Sequence, residues 1–361
     1  MQRAHLDYVL ALHHELTTGS DLCWSPYSVA SALGLTAAGG EGSTREQLLR
    51  LLAGGHDLTA LQRLLADSAS LTEASAAVAN SLWMDRQVTF RDDYQRQVRQ
   101  MPGGALHTAD FRHDPEGSRQ AINADVEHST RGLVKQLLAE GAIDSQTAAV
   151  IVNALYLKVA WLHPFAAPAT TPGRFRTPAG TREVPTMRQQ ESFPYAEAGG
   201  WRMATLPTPS EVVVDILLPA EEITQPEQWP ALTPDTLTRL QSTARGRKLD
   251  LALPKFRVEH AVTLNSALRR LGVVDAFDPD RADFTGITED RRIFVDLVVH
   301  KAVLRADEEG FEGAAATAVA MRIVSMDLST PTPFHVDRPF LVLVRHARTG
   351  AIYFLAQVIE P

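Results

Sequence analysis

Residues 13–17 read His-His-Glu-Leu-Thr, which opens as a zinc-binding H-E-x-x-H motif opens. Position 18 is Thr, so the second histidine is missing, and the adjacent His13 and His14 face different sides of a helix. The twelve histidines are otherwise scattered and no metal site is expected. No G-x-S-x-G elbow, P-loop or G-x-G-x-x-G occurs, so a hydrolytic enzyme would lack its nucleophile, base and oxyanion donors. More telling are His300, inside the apolar run "DLVVHKAVL" (296–304), and Asn153, inside "VIVNALYLKVAW" (150–161). A buried imidazole or amide must find partners, so the two predict a polar link between strands. Spacing leaves open whether that link is structural support or a movable contact.

The elements that must position these residues change character along the chain. The N-terminal stretch reads as an amphipathic helix with Leu6, Val9, Leu10 and Leu12 on its apolar side. After Ser25-Pro26, "YSVASALGLTAAGG" is small and apolar nearly all round, a buried helix ending at Gly39-Gly40. Ser43 followed by Glu46 predicts a capping box, and 115–140 shows a further helical pattern around Ile122, Val126 and Leu133. From there strands dominate: 150–161, 211–220, 248–258 and 292–307, then a hairpin over 340–358, with one helix at 264–272. Helices first and strands later predict an α+β fold with large mixed or antiparallel sheets. No repeat or low-complexity linker divides the chain, so one domain over 1–361 is expected.

The 361 residues carry a formal charge of −8, against the basic face that nonspecific nucleic-acid binding needs. No run of about 18 apolar residues suggests a membrane span, and the start lacks the features of a signal peptide. The protein is therefore expected inside the cell, or secreted with its leader removed. Cys23 is the only cysteine, which excludes an intramolecular disulfide and reads as a small buried hydrophobe. One Cys and four Asn fit a heat-adapted host, although codon bias would equally give five Lys against thirty Arg.

The segment "EEGFEGAAATAVAMRIVSMD" (308–327) fits neither a core element nor a tight turn. Taken with period two, Gly313, Ala315, Thr317 and Val319 share one face, and Glu312, Ala314, Ala316, Ala318 and Ala320 the other. The segment can be an exposed loop and can also become a strand, whereas an ordinary surface loop is the bland alternative.

With these residues in place the chain resembles the serpins, over essentially its whole length. "VNALYLKVAWLHPF" (152–165) is similar to the family signature N-A-x-Y-F-K-G-x-W-x-x-P-F, and "LCWSPYSVASALGLTAAGGEGSTREQL" (22–48) to its Ser-Pro helix. "LPKF" (253–256), "ADFTGI" (282–287), "VHKAVLRADEEGFEGAAATA" (299–318) and "DRPFLVLVRHARTGAIYFLAQV" (337–358) follow in family order.

The resemblance implies a serpin fold, helices with three β-sheets, and a reactive-centre loop over about 308–332 that inserts into the central sheet. It implies a single-use inhibitor, of a prokaryotic inhibitory type, that forms a covalent 1:1 complex with a serine protease. No cofactor, nucleic acid or membrane partner is implied, and the protein is expected to be a monomer. The loop hinge would be Glu308, Glu309, Gly310, Phe311, Glu312, Gly313, Ala314, Ala315 and Ala316. Glu308 should pair with Lys255 near Trp161 at the breach where the loop enters the sheet. Ser25, Ser28, Asn153 and His300 match the shutter cluster that pins the central strands.

Counting the family's usual loop length from Glu308 places the reactive bond at Val324–Ser325. A β-branched residue after Ile323 suits an elastase-like protease, while Met321 and Met326 would suit chymotrypsin- or subtilisin-like enzymes in a slipped register. Phe311 departs from the small residue usual at the first inserting position, and Gly313, Val159 and Ala356 depart from the pattern too. A large ring at 311 must be buried quickly, and slow insertion would release the protease; against that, the Ala/Thr run is intact and no proline or charge lies between Gly313 and Met321, which favours an inhibitor. The alternative function is a non-inhibitory serpin acting as a binding or chaperone-like module.

Overall fold

The computed structural model describes residues 1–69, 75–101, 104–132, 134–289, 293–311 and 330–361. The chain opens with α1 (Gln2–Leu16), β1 (Leu22–Trp24), α2 (Pro26–Gly39), α3 (Gly42–Ala53) and α4 (Leu58–Asp67). Next come β2 (Ser75–Asp85), α5 (Asp92–Arg99), β3 (Gly104–Ala109), α6 (Pro115–Ser129) and β4 (Ala149–Ala160). Strands β5 (Thr171–Thr177), β6 (Gly180–Ala198), β7 (Trp201–Pro207) and β8 (Val212–Pro219) precede α7 (Pro234–Thr243). The rest is β9 (Arg245–Pro254), β10 (Phe256–Thr263), α8 (Asn265–Arg270), β11 (Leu297–Ala306), β12 (Gly310–Phe311), β13 (Thr332–His335), β14 (Phe340–His346) and β15 (Ile352–Val358).

The strands form two hydrogen-bonded sheets. One has the order β10-β11-β12-β4-β2-β3; the other runs β1-β15-β14-β8-β7-β6-β9-β13, with β5 on β6. The three sheets implied by the resemblance appear as two units because the 19-residue β6 joins them. It pairs in turn with β5, β9 and β7 along its length. The expected strand at 248–258 divides at Lys255: β9 belongs to one sheet and β10 to the other. Between them the Lys255 N–H donates to the Pro185 carbonyl at 2.9 Å, so the ladder is left at that residue. The expected strand at 292–307 begins at Leu297.

Helix α2 is buried along its whole length, as its all-round apolar surface predicts. Pro26 opens it and the Ser25 side chain caps it by accepting from the Ser28 N–H at 3.1 Å. It lies between the two sheets, against β15 on one side and β2 and β4 on the other. The capping box expected at Ser43 does not form. Helix α3 starts after Glu41, and Ser43 Oγ instead donates to Asp275 Oδ2 at 2.7 Å.

Helix α6 ends at Ser129, well short of the expected 140. Arg131 and Gly132 take left-handed φ values of 54° and 82°, which a helix cannot continue through; Leu133 lies outside the described residues. The chain beyond is held by Asn123. Its Oδ1 accepts from the Leu137 and Leu138 N–H groups at 2.9 and 2.8 Å, and its Nδ2 donates to the Leu138 carbonyl at 3.0 Å. Phe111, Ile122, Val126 and Leu138 then pack on Val150 and Val152 of β4 and Val299 of β11, covering the face where those strands meet.

Replacing Asn123 by Ala strands two buried N–H donors and should destabilise the protein by about 2–4 kcal/mol. A urea-unfolding midpoint unchanged from wild type would show that this staple contributes nothing.

Candidate functional site

Strands β4 and β11 run parallel and pair directly from Leu297–Val150 to Lys301–Ala154. There the direct ladder stops. Five residues further along each strand the connection resumes through β12. Phe311 pairs antiparallel with Ala306 of β11 on one side and with Val159 of β4 on the other, and Gly310 pairs with Ala160. Adjacent strands lie about 4.8 Å apart, so a strand seated between two others holds them at roughly twice that. The sheet is therefore forked: zipped below, and spread above where Gly310 and Phe311 of its own chain sit between the two strands.

The mouth of the fork is built by residues 307–311. The Asp307 N–H donates to the Gly310 carbonyl and the Glu309 N–H to Asp307 Oδ1, both at 3.0 Å, which turns the chain back toward the sheet. Gly310 has a φ of +149°, and a Cβ there would sit 2.2 Å from the Val159 carbonyl oxygen, so only glycine fits. Trp161 spans the turn: its backbone N–H donates to the Glu309 carbonyl at 3.0 Å and its indole Nε1–H to the Asp307 carbonyl at 2.8 Å. The Phe165 N–H donates to the Glu308 carbonyl at 2.9 Å.

Lys255 and Glu308 meet as the resemblance implies, at 2.7 Å between Nζ and Oε2. The other carboxylate oxygen accepts from Thr170 Oγ1 at 2.8 Å. Partial burial disfavours the Glu308 charge, yet the hydrogen bonds from Lys255 and Thr170 outweigh it and hold the carboxyl below its ordinary pKa. Phe311 is 2% exposed, with its ring centroid 5.0 Å from that of Trp161. Trp161 in turn meets Phe165 edge-on at 6.3 Å.

Below the fork lies a polar pin. His300 and Asn153 are direct neighbours across the parallel ladder, and the His300 Nδ1–H donates to Asn153 Oδ1 at 2.7 Å. His300 Nε2 accepts from the Ser25 N–H at 2.9 Å, which fixes the neutral Nδ1–H tautomer. Asn153 Nδ2 donates to Ser28 Oγ at 2.6 Å and to Asn80 Oδ1, Asn80 being its cross-strand partner on β2. All five side chains are at most 1% exposed. Ser25 and Ser28 open α2, so the helix between the sheets is tied at its first turn to the strands that meet at the seam. Burial without a counter-ion pushes the His300 pKa down to about 3.

The residues singled out at the breach and in the shutter cluster thus converge at two places on one seam. Sequence reasoning missed Asn80, Thr170 and Asp307. Asn80 carries the signal that marked Asn153, an amide within an apolar strand; Thr170 meets Glu308 across 138 positions and has no local signal. The hinge residues Glu312, Gly313, Ala314, Ala315 and Ala316 and the bond Val324–Ser325 lie outside the described residues.

As a class this is an α+β protein organised around a forked sheet and a polar pin across its seam. The chain belongs to the serpin family: the family model described as Serpin (serine protease inhibitor) matches residues 6–361. The human leukocyte elastase inhibitor is 32% identical over 374 residues, covering 99% of this chain and 98% of the inhibitor. Among solved structures, the thermophilic serpin tengpin in its native state superposes with a TM-score of 0.89 at 22% identity, covering 100% of this chain and 94% of tengpin. Human thyroxine-binding globulin, complexed with its hormone, superposes with a TM-score of 0.88 at 24% identity, covering 100% and 98%.

The depressed His300 pKa has a signed consequence. Between an unfolded value near 6.5 and about 3, the unfolded chain binds a proton that the folded chain refuses. This contribution to stability is complete above pH 6.5 and is lost as pH falls, by up to about 1.4 kcal/mol per pH unit. His300→Leu should therefore unfold with a shallower pH dependence than wild type between pH 6.5 and 4 in urea titrations; parallel curves would show that His300 does not titrate on unfolding.

Proposed function

We propose that this chain is a single-use inhibitor of serine proteases that traps an acyl-enzyme by taking its own cleaved loop into the seam between β4 and β11. The observation that carries the reading is the fork, with Gly310 and Phe311 seated in it. The protease serine attacks the bait bond, Val324–Ser325, and forms an ester with Val324 as the new amine leaves. The loop beyond Phe311 then follows into the slot, dragging the attached protease away from the geometry that water needs to hydrolyse the ester. An elastase-like target fits a β-branched bait residue, and the name of the 32% identical human relative is in keeping with it.

The direction of β12 supplies a driving force. The stub is antiparallel to both neighbours, so zipping it downward replaces one parallel ladder by two antiparallel ones. Antiparallel pairing is slightly the more stable per residue, and each hydrogen bond gained adds a net of about 1 kcal/mol. Opening the zipped half requires the His300–Asn153 contact to part and the layer formed by α6 and Leu138 to lift from the seam. These barriers keep the uncleaved state from converting, so its stability is partly kinetic. The ring at 311, which must be buried quickly, is already buried before any protease arrives, and its desolvation is no part of the race with hydrolysis.

Incubation with elastase, chymotrypsin and subtilisin should yield a complex that survives denaturing electrophoresis at the summed mass, together with a released peptide beginning at Ser325. A peptide beginning at Asp327 would place the bait at Met326. Cleavage without a stable complex would refute the inhibitory reading for that protease. A second expectation concerns the stub. Phe311→Glu puts a charge into a seat that is 2% exposed and packed on Trp161, which disfavours β12 strongly. The number of inhibitor molecules consumed per protease should rise about tenfold or more, since about 1.4 kcal/mol shifts the partition tenfold; an unchanged stoichiometry would show that seating residue 311 is irrelevant.

A further inference from the structure

On the side of the molecule formed by α3, α4 and α5 lies a cleft of about 850 Å³, within the size range of pockets that hold small organic ligands. Its floor is apolar: Ala38 at the end of α2, Leu65 of α4 and the ring of Tyr94 on α5 are each at most 9% exposed. The Tyr94 hydroxyl is already engaged, donating to the Leu35 carbonyl at 3.1 Å, so the cleft meets the ring and not the hydroxyl.

The rim carries charges of both signs. Arg91 is paired with Glu289, and Asp93 with Arg96. Arg45 and Arg63 also line the cleft, and neither guanidinium has a hydrogen-bond or ionic partner among the described residues. The lining as a whole carries three arginines and three acids and is neutral overall, so any preference for an anion comes from Arg45 and Arg63, the two arginines not engaged in an ion pair. A guanidinium presents a planar fork of donors that matches a carboxylate or sulfonate.

We propose that this cleft binds a small amphipathic organic anion, its apolar body on Leu65 and Tyr94 and its anionic head toward Arg45 and Arg63. The site stands apart from the seam and does not depend on the inhibitory reading. The apolar floor receives the body of the ligand, and the two unpaired cations select for the head group.

The test is a fluorescence titration of the full chain with 8-anilinonaphthalene-1-sulfonate, beside the uncharged N-phenyl-1-naphthylamine. One saturable site is expected, preferring the sulfonate and displaced by decanoate. The double substitution Arg45→Ala, Arg63→Ala should weaken sulfonate binding about tenfold or more. Ala66→Trp, which fills the cleft from an exposed position on its wall, should abolish it. Equal affinity for the neutral probe, or a double variant that binds as wild type does, would overturn the anion assignment. Absence of saturable binding, or undiminished binding to Ala66→Trp, would overturn the site itself.

Discussion

Two parallel strands that share a ladder over only half their length set the terms for the rest of this molecule. Parallel pairing is the weaker kind, and β4 and β11 keep it only from Leu297–Val150 to Lys301–Ala154. A sheet with an unclosed upper half invites any chain of the right length, its own first of all. Each device around the seam can be read as managing that invitation. The turn at 307–310 feeds Gly310 and Phe311 in, and Lys255 and Thr170 hold Glu308 at its mouth. The layer under α6 covers the zipped face, and the pin of His300 and Asn153 marks where zipping begins.

The pin also gives the proposed rearrangement a local polar cluster to govern it. Each of its hydrogen bonds is satisfied in the present arrangement, including both donors of the Asn153 amide. A buried network of this kind is costly to leave half-made. The strands therefore cannot part by degrees: once His300 leaves Asn153, both groups need new partners in the same step. Ser25 couples this to α2, since its N–H serves His300 while its hydroxyl caps the helix. A shift of the strands is then felt by a helix that touches both sheets.

Much of the fold was legible because its signals are local. The all-round apolar surface of α2, the Val- and Leu-rich β11, and the β14–β15 hairpin around a glycine turn each declare themselves within a dozen residues. Where sequence and structure parted, a distant partner had intervened. Ser43 looked like a cap but is claimed by Asp275; α6 stops early because Arg131 and Gly132 turn left-handed and Asn123 holds the chain that follows. At the site, Lys255, Trp161, Asn153 and His300 could be named from motif resemblance, and Asn80 from its apolar setting. Thr170 could not, because nothing near it in the chain requires a carboxylate.

Phe311 shows how the setting of a residue changes the consequence that its size suggests. Size alone argues that a phenyl ring at the entrance obstructs a strand that must enter quickly. In the folded chain the ring is the part of that strand already inside, packed on Trp161 and paired on both edges. This has its own cost in drive. On the proposed mechanism, a contact present before cleavage cannot contribute to the free energy released after it, so seating Phe311 early removes its burial from the work of insertion. What remains must come from the ladders themselves and from small side chains, alanines above all, which bury little area each. In the proposed mechanism, speed at the entrance is thus obtained against strength of pull, a balance workable only because the ladder to be opened is parallel and the two that replace it are antiparallel.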